Sequence, residues 1–299
     1  VVNGGLSCSN IKLTTTDGGS IVLNADLNAP TIAISLTGSG TLSQAAGTSI
    51  GIGSLILSGQ FGSVGSQLVA LNTNVLELKV TSLADVYIAN DSSLDLKTSQ
   101  VDGRFELTAN GDIAVESNLN AENLSLAAVG SISVLSVVNS DNEAALSASG
   151  KGTSITVSGS LLSAGGNVNL TTDSLVLNGG QISSGLADGG VNVNGSASLL
   201  ISGNGSISAT GGGAASVNLS ADISLEVADS ITLNAGANGT VRLATSAAAP
   251  STSITIGSSG TATLIVEGQS SLVMTASTVT LDNGSTITSS KESGIAVAI

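Results

Sequence analysis

The sequence predicts an all-β chain wound as a parallel β-helix, a β-solenoid of about 13 rungs, with residues 1–299 forming one domain without an internal boundary. Three observations predict it. Residues 75–131 divide into three lines of nineteen, VLELKVTSLADVYIANDSS, LDLKTSQVDGRFELTANGD and IAVESNLNAENLSLAAVGS, which share one pattern in different letters. Within each line an apolar–x–apolar pair is followed by a lone apolar residue and a second pair. And the apolar residues are small: 41% of the chain is hydrophobic, yet Trp is absent and Phe and Tyr total three. A globular core is hard to fill without large aromatics; a narrow core of stacked aliphatic layers does not need them.

The first pairs in the three lines are Leu76/Leu78, Leu94/Leu96 and Ile113/Val115; the lone residues are Leu83, Val101 and Leu119; the second pairs are Val86/Ile88, Phe105/Leu107 and Leu124/Leu126. Alternation puts each pair on one face of a strand, and the register predicts Leu78, Leu96 and Val115 as an inward stack beside an outward column of Glu77, Asp95 and Ala114. Following the first pair along the chain marks starts at Ile11, Ile32, Leu55, Leu76, Leu94, Ile113, Ile132, Ile155, Leu175, Leu199, Leu225, Ile254 and Leu272, 18–29 residues apart. Units of this length are too short for a strand–helix crossover, so each turn lays its strands on those of the turn before. Length varies in the turns, as in GLADGG (185–190) and ATGGGAAS (209–216), while the strand pairs persist. Gly and Asn supply the positive φ that sharp corners require. With strands ~4.8 Å apart, such a stack is expected to be a rod of about 60 Å.

Charge narrows the function classes. The net charge of −14, with only seven Lys and Arg, is the wrong sign for phosphate backbones and for anionic lipid, so neither nucleic acid nor membrane insertion is expected. No apolar run is long enough to span a bilayer, and no signal peptide opens the chain; starting at VVNGG, it reads as a processed product or a segment of something longer. Zero His removes zinc sites and nucleophile triads of the usual kind. The calcium repeat GGxGxDxUx is not matched by GLADGGVNV (185–193) or TTDGGS (15–20), and no cofactor is expected. Cys8, alone, reads as a small apolar residue.

Eleven of the 21 acidic residues lie between Glu77 and Glu143. The register aims most of them outward: Glu77 and Asp95 share a column with Lys79 and Lys97 beside them, and Asp85 and Arg104 share another. They read as surface pairs. Paired carboxylates could instead serve a β-helix glycosidase or lyase, but the aromatic platforms that hold sugars are missing, so no catalytic residues are assigned and an enzyme is not expected. Asn-x-Ser/Thr at Asn90, Asn123, Asn169, Asn194, Asn204, Asn218, Asn238 and Asn283 is near what chance supplies in this composition. Thr261-Ala-Thr263 and Thr278-Val-Thr280 stand in different contexts, which argues against an ice-binding column.

The strings SITLNAGANGTVRLATS (230–246) and DVYIANDSSLDLKTSQVDGRFELTANGDIAVESNLNAENLSLAAVGSISV (85–134) resemble filamentous-haemagglutinin-type repeats of bacterial two-partner-secretion exoproteins and giant adhesins. That resemblance implies a right-handed β-helix shaft, export to the cell surface, and a role in adhesion or matrix. The Asn-Pro-Asn-Gly-type motif of the family's secretion domain is absent, so the resemblance extends to the shaft alone or to a cousin family, and it carries over no functional residues. The expected function is therefore an extracellular structural rod or filament, with a carbohydrate-active β-helix enzyme or an adhesin carrying a dedicated patch for a host or matrix ligand as alternatives. The closing SGIAVAI is a bare apolar strand, so Ile295, Val297 and Ile299 are expected to meet a further rung, from a head-to-tail copy or from a longer chain.

Overall fold

A computed structural model of the chain describes residues 1–211, 213–236, 239–246, 251–267 and 271–289. Every regular element among them is a β-strand, and the strands run parallel in a β-solenoid of about 12 turns. The chain divides into two compact units, Val1–Gly130 and Ser131–Ile299.

In the second unit a rung has three strands. Ile155–Val157, Ser160–Ser163 and Val168–Thr171 form one, and each lies parallel to its counterpart in the next rung: Ile155 opposite Leu175, Leu161 opposite Ile182, Val168 opposite Val191. The lone apolar residue of the sequence pattern is thus the inward residue of a middle strand. Its column, Val138, Leu161, Ile182, Ile207, Leu233 and Val266, is wholly inside. Each such aliphatic side chain contributes roughly 1.5–3 kcal/mol of burial.

The first unit repeats the logic. Leu78, Leu96 and Val115 stack inward, 1%, 0% and 0% exposed, while Glu77, Asp95 and Ala114 pair one above another on the outer surface. Phe105 fills the core between Val86 and Leu124.

Three expectations are corrected. Leu76 and Leu83 are 63% and 55% exposed instead of facing in. The strand Glu77–Ser82 has slid by two residues: Leu55 lies opposite Leu78 and Leu57 opposite Val80, which leaves Leu76 in the corner before it with its N–H on the Gly53 carbonyl. A slide of two preserves which side chains face in, because side chains alternate with period two. At Leu83, Ser82 takes the inward place opposite Val101 and closes a local turn, its hydroxyl donating to the Ala84 carbonyl (3.1 Å) and accepting the Ala84 N–H (3.2 Å). Leu83 is turned out by that step. Leu272 does not start a rung. It lies opposite Val241 in the third-strand column, and the first-strand position after Ile254 is Val279.

Corners interrupt the backbone ladder, and side-chain acceptors of neighbouring rungs take the freed N–H groups. Asp26 Oδ1 accepts from Ser49 N at 2.8 Å, Asp188 Oδ1 from Ala214 N at 3.0 Å, and Asp229 Oδ2 from Gly203 N at 2.8 Å. Inside the corners, Ser140, Ser163 and Ser184 form a buried polar column whose hydroxyls donate to the turn carbonyls of Glu143, Asn142 and Gly166. Asn90, 2% exposed, accepts from Thr73 Oγ1 and Val75 N (both 2.9 Å) and donates to the carbonyls of Val75 (3.2 Å) and Ser92 (2.9 Å). Among the described residues no buried side-chain nitrogen or oxygen lacks a partner.

Candidate functional site

The densest charge lies on the outer face of the strands Glu77–Ser82, Leu94–Leu96 and Ile113–Val115. Because these strands are in register, alternation projects Glu77 and Asp95 from adjacent rungs, and Lys97 leaves the strand end beside them. Its ammonium lies 3.5 Å from both Glu77 Oε1 and Asp95 Oδ2 and forms a short hydrogen bond with Glu116 Oε2. That bond, more than any other influence, holds the Lys97 ammonium above its ordinary pKa; the charges of Glu116, Asp95 and Glu77 act in the same direction and desolvation opposes them.

The second predicted column differs in detail. Asp85 lies beside Arg104 but accepts its backbone N–H (2.9 Å), and the guanidinium turns to Glu106 at 3.9 Å. The Tyr87 hydroxyl donates to Asp85 Oδ2 at 3.3 Å. Partial burial, and then the Asp85 charge, push the Tyr87 pKa up. The outer carboxylates named in these two columns are thus engaged by an ammonium, a guanidinium, a phenol or a backbone amide.

On the second unit the outward column is built from amides. Glu143 Oε1 accepts from Asn169 Nδ2 (2.6 Å), Asn169 Oδ1 from Asn192 Nδ2 (2.8 Å), and Asn192 Oδ1 from Asn218 Nδ2 (2.9 Å). The same parallel register that stacks Val168, Val191 and Val217 inside aligns these amides outside. Two shallow, open depressions lie elsewhere, one lined by Asn194, Ser220, Asp222, Thr245 and Ser246, the other by Asp17, Gly18, Thr37, Gly38 and Ser39. Each holds a single carboxylate. Among the described residues no three His, Cys, Asp or Glu are placed to hold a metal ion, and no helix is long and apolar enough to cross a membrane.

Cys8 is exposed, its thiol donating to the Asn10 carbonyl at 3.1 Å, so it does not act as core filler. Of the glycosylation triplets, Asn90 is buried with its amide engaged, whereas Asn194, Asn204 and Asn283 are exposed. Ile295, Val297 and Ile299 lie outside the described residues.

One feature went unread in the sequence. At the corner where Leu76 is displaced, Pro30, Ile52 and Leu76 of successive rungs all face solvent, and Ile52 has a φ of 106°. A β-branched residue in that region is a backbone outlier. The signal was the parity break in APT (29–31) and IGIGS (50–54), where alternation is lost for a residue.

No family model, no curated protein and no solved structure matches this chain.

Proposed function

We propose that the chain is a shaft segment of an extracellular structural rod or filament, of the kind carried by bacterial surface adhesins or matrix. The observation that carries this reading is the uniformity of the rungs. Inward positions are mostly aliphatic stacks in both units, and the outward strand columns described above carry amides or mutually paired charges, with single apolar residues such as Ile52, Leu76 and Leu83 exposed at corners. Such a surface offers solubility and stiffness, with its functional groups spent on neighbouring rungs.

A parallel ladder has no built-in stop, since any edge rung presents N–H and C=O groups to another. The filament is proposed to extend by further rungs of one polypeptide or by head-to-tail copies, with Ile295, Val297 and Ile299 as the contact in the second case. Export to the cell surface, no nucleic-acid partner, no membrane insertion, no cofactor and no enzymatic activity belong to the same proposal.

Electron microscopy of the native material tests it: rods or continuous fibres are expected, and compact particles would overturn the reading. A parallel assay on polysaccharides should show no turnover. Turnover abolished by a single Asp or Glu substitution in a folded variant would replace the rod with a carbohydrate-active enzyme.

A further inference from the structure

Asn–Gly occurs seven times in the chain, and the six of these bonds that lie within the described residues differ in whether the amide groups around them are held. Asn178–Gly179 stands apart. It lies inside the strand Ser174–Ser184, where Asn178 still lies opposite Asn204 of the following rung and the ladder lapses on both sides at Gly179 and Gly180. Toward the preceding rung, pairing covers Leu175–Leu177 and resumes at Gln181; toward the following rung, the register skips between Asn178 and Gln181. Asn178 and Gly179 are both exposed, and the Asn178 carboxamide has no hydrogen-bond partner among the described residues. Gly179 has a φ of 72°, and nothing lies within 4 Å of where its Cβ would be. Gly180, by contrast, packs on the Val157 carbonyl, where a Cβ would come to 2.1 Å, and so anchors the bulge.

The other described Asn–Gly bonds are restrained. Asn194 Oδ1 accepts from Ser220 Oγ (2.6 Å) while Gly195 N donates to the Ser220 carbonyl (2.8 Å). Asn283 Nδ2 donates to the Gly257 carbonyl at 2.7 Å. Gly205, after Asn204, sits in the ladder opposite Ile231. Asn3 accepts from Asn24 Nδ2 (2.9 Å), and Asn110 Nδ2 donates to Asp91 Oδ1 (3.4 Å).

We infer that Asn178 is, among the described Asn–Gly bonds, the one that deamidates spontaneously in the folded protein. The Gly179 amide nitrogen attacks Asn178 Cγ. The N–Cγ bond forms and the Cγ–Nδ2 bond breaks, and the departing nitrogen leaves as ammonia with the proton shed by the amide. Water then opens the cyclic imide at either carbonyl, to aspartate or, with one more atom in the backbone, to isoaspartate. The open space at Gly179 has room for both the ring and that extra atom, while Leu175–Leu177 and Gln181–Ser184 keep the rung in register.

The test compares the intact folded protein with the same protein unfolded in denaturant, both aged in mildly alkaline buffer. Site-resolved mass spectrometry follows conversion of the amide to the acid. Unfolding makes the Asn–Gly bonds chemically alike, so the folded-to-unfolded rate ratio reports protection at each site. The expected result is a ratio near unity at Asn178 and severalfold lower ratios at Asn194 and Asn283. A ratio at Asn178 no higher than theirs overturns the assignment. Aged protein carrying isoaspartate at this position should also keep its melting temperature; a melting temperature lowered in step with conversion would overturn the role given to the bulge.

Discussion

The charged face of the first unit and the amide face of the second solve the same problem with different chemistry. Parallel stacking in register places like residues on top of one another, at a spacing where like charges repel. Around Lys97 the chain answers with one ammonium among Glu77, Asp95 and Glu116. Along Asn169, Asn192 and Asn218 it uses a group that donates to one neighbour and accepts from the other, so identity becomes an advantage. The first solution depends on ionic strength and pH. The amide-to-amide bonds of the second depend on neither, and they require an amide in each of those consecutive rungs.

The largest effect is expected from the shared core, not from either surface. Leu96→Asp buries an unpaired charge between rungs and should destabilise by about 3–5 kcal/mol in chemical denaturation. Asp95→Ala, one residue away and facing out, should stay within about 0.5 kcal/mol of the parent. Similar losses for the two would refute the inward and outward assignment.

Asn90→Ala should come next. It leaves Val75 N and the carbonyls of Val75 and Ser92 without their buried partner, for a loss of about 2–3 kcal/mol. A loss no greater than that of Asp95→Ala would show that water replaces the side chain. Asn192→Ala removes the middle of the amide ladder and should cost about 1 kcal/mol, unchanged between low and high salt.

The smallest effect belongs to Lys97→Met. Its loss should be measurable only at low ionic strength and should vanish as salt is raised. A salt-independent loss would mean that Lys97 acts through packing of its stem. The same variant tests the pH dependence. The Lys97 pKa is raised in the folded protein, so its contribution is fully present below the ordinary lysine value and is lost as pH climbs through the folded one. At low salt the parent should therefore lose stability more steeply than Lys97→Met as pH rises across that window, and parallel curves there would exclude the ammonium as the cause.

Much of this could be read from the sequence because a strand has only two faces. The alternations at Leu94/Leu96, Ile113/Val115 and Val168/Leu170 state which side chains go inside, and spacings near 20 residues leave no room for a crossover helix. Glu77 and Asp95 were legible as one outer column for the same reason. The partner of Arg104 was not: sharing a column with Asp85 brings the side chains near each other, but corner geometry gives Asp85 the backbone N–H and sends the guanidinium to Glu106.

Parity and period follow from the residues alone: an all-β coil of short rungs with a largely aliphatic interior. Register and corner are fixed by the stacking of one rung on the next. Sliding a strand by two residues leaves every side chain on its original face, so the pattern around Leu76 and Leu78 is equally consistent with either alignment. Contacts with Leu55 and Leu57 in the neighbouring rung select the one that turns Leu76 out. Corners likewise depend on which carbonyl or carboxylate of an adjacent rung is within reach of a freed N–H. That distance is set by stacking, and it is written in no single repeat.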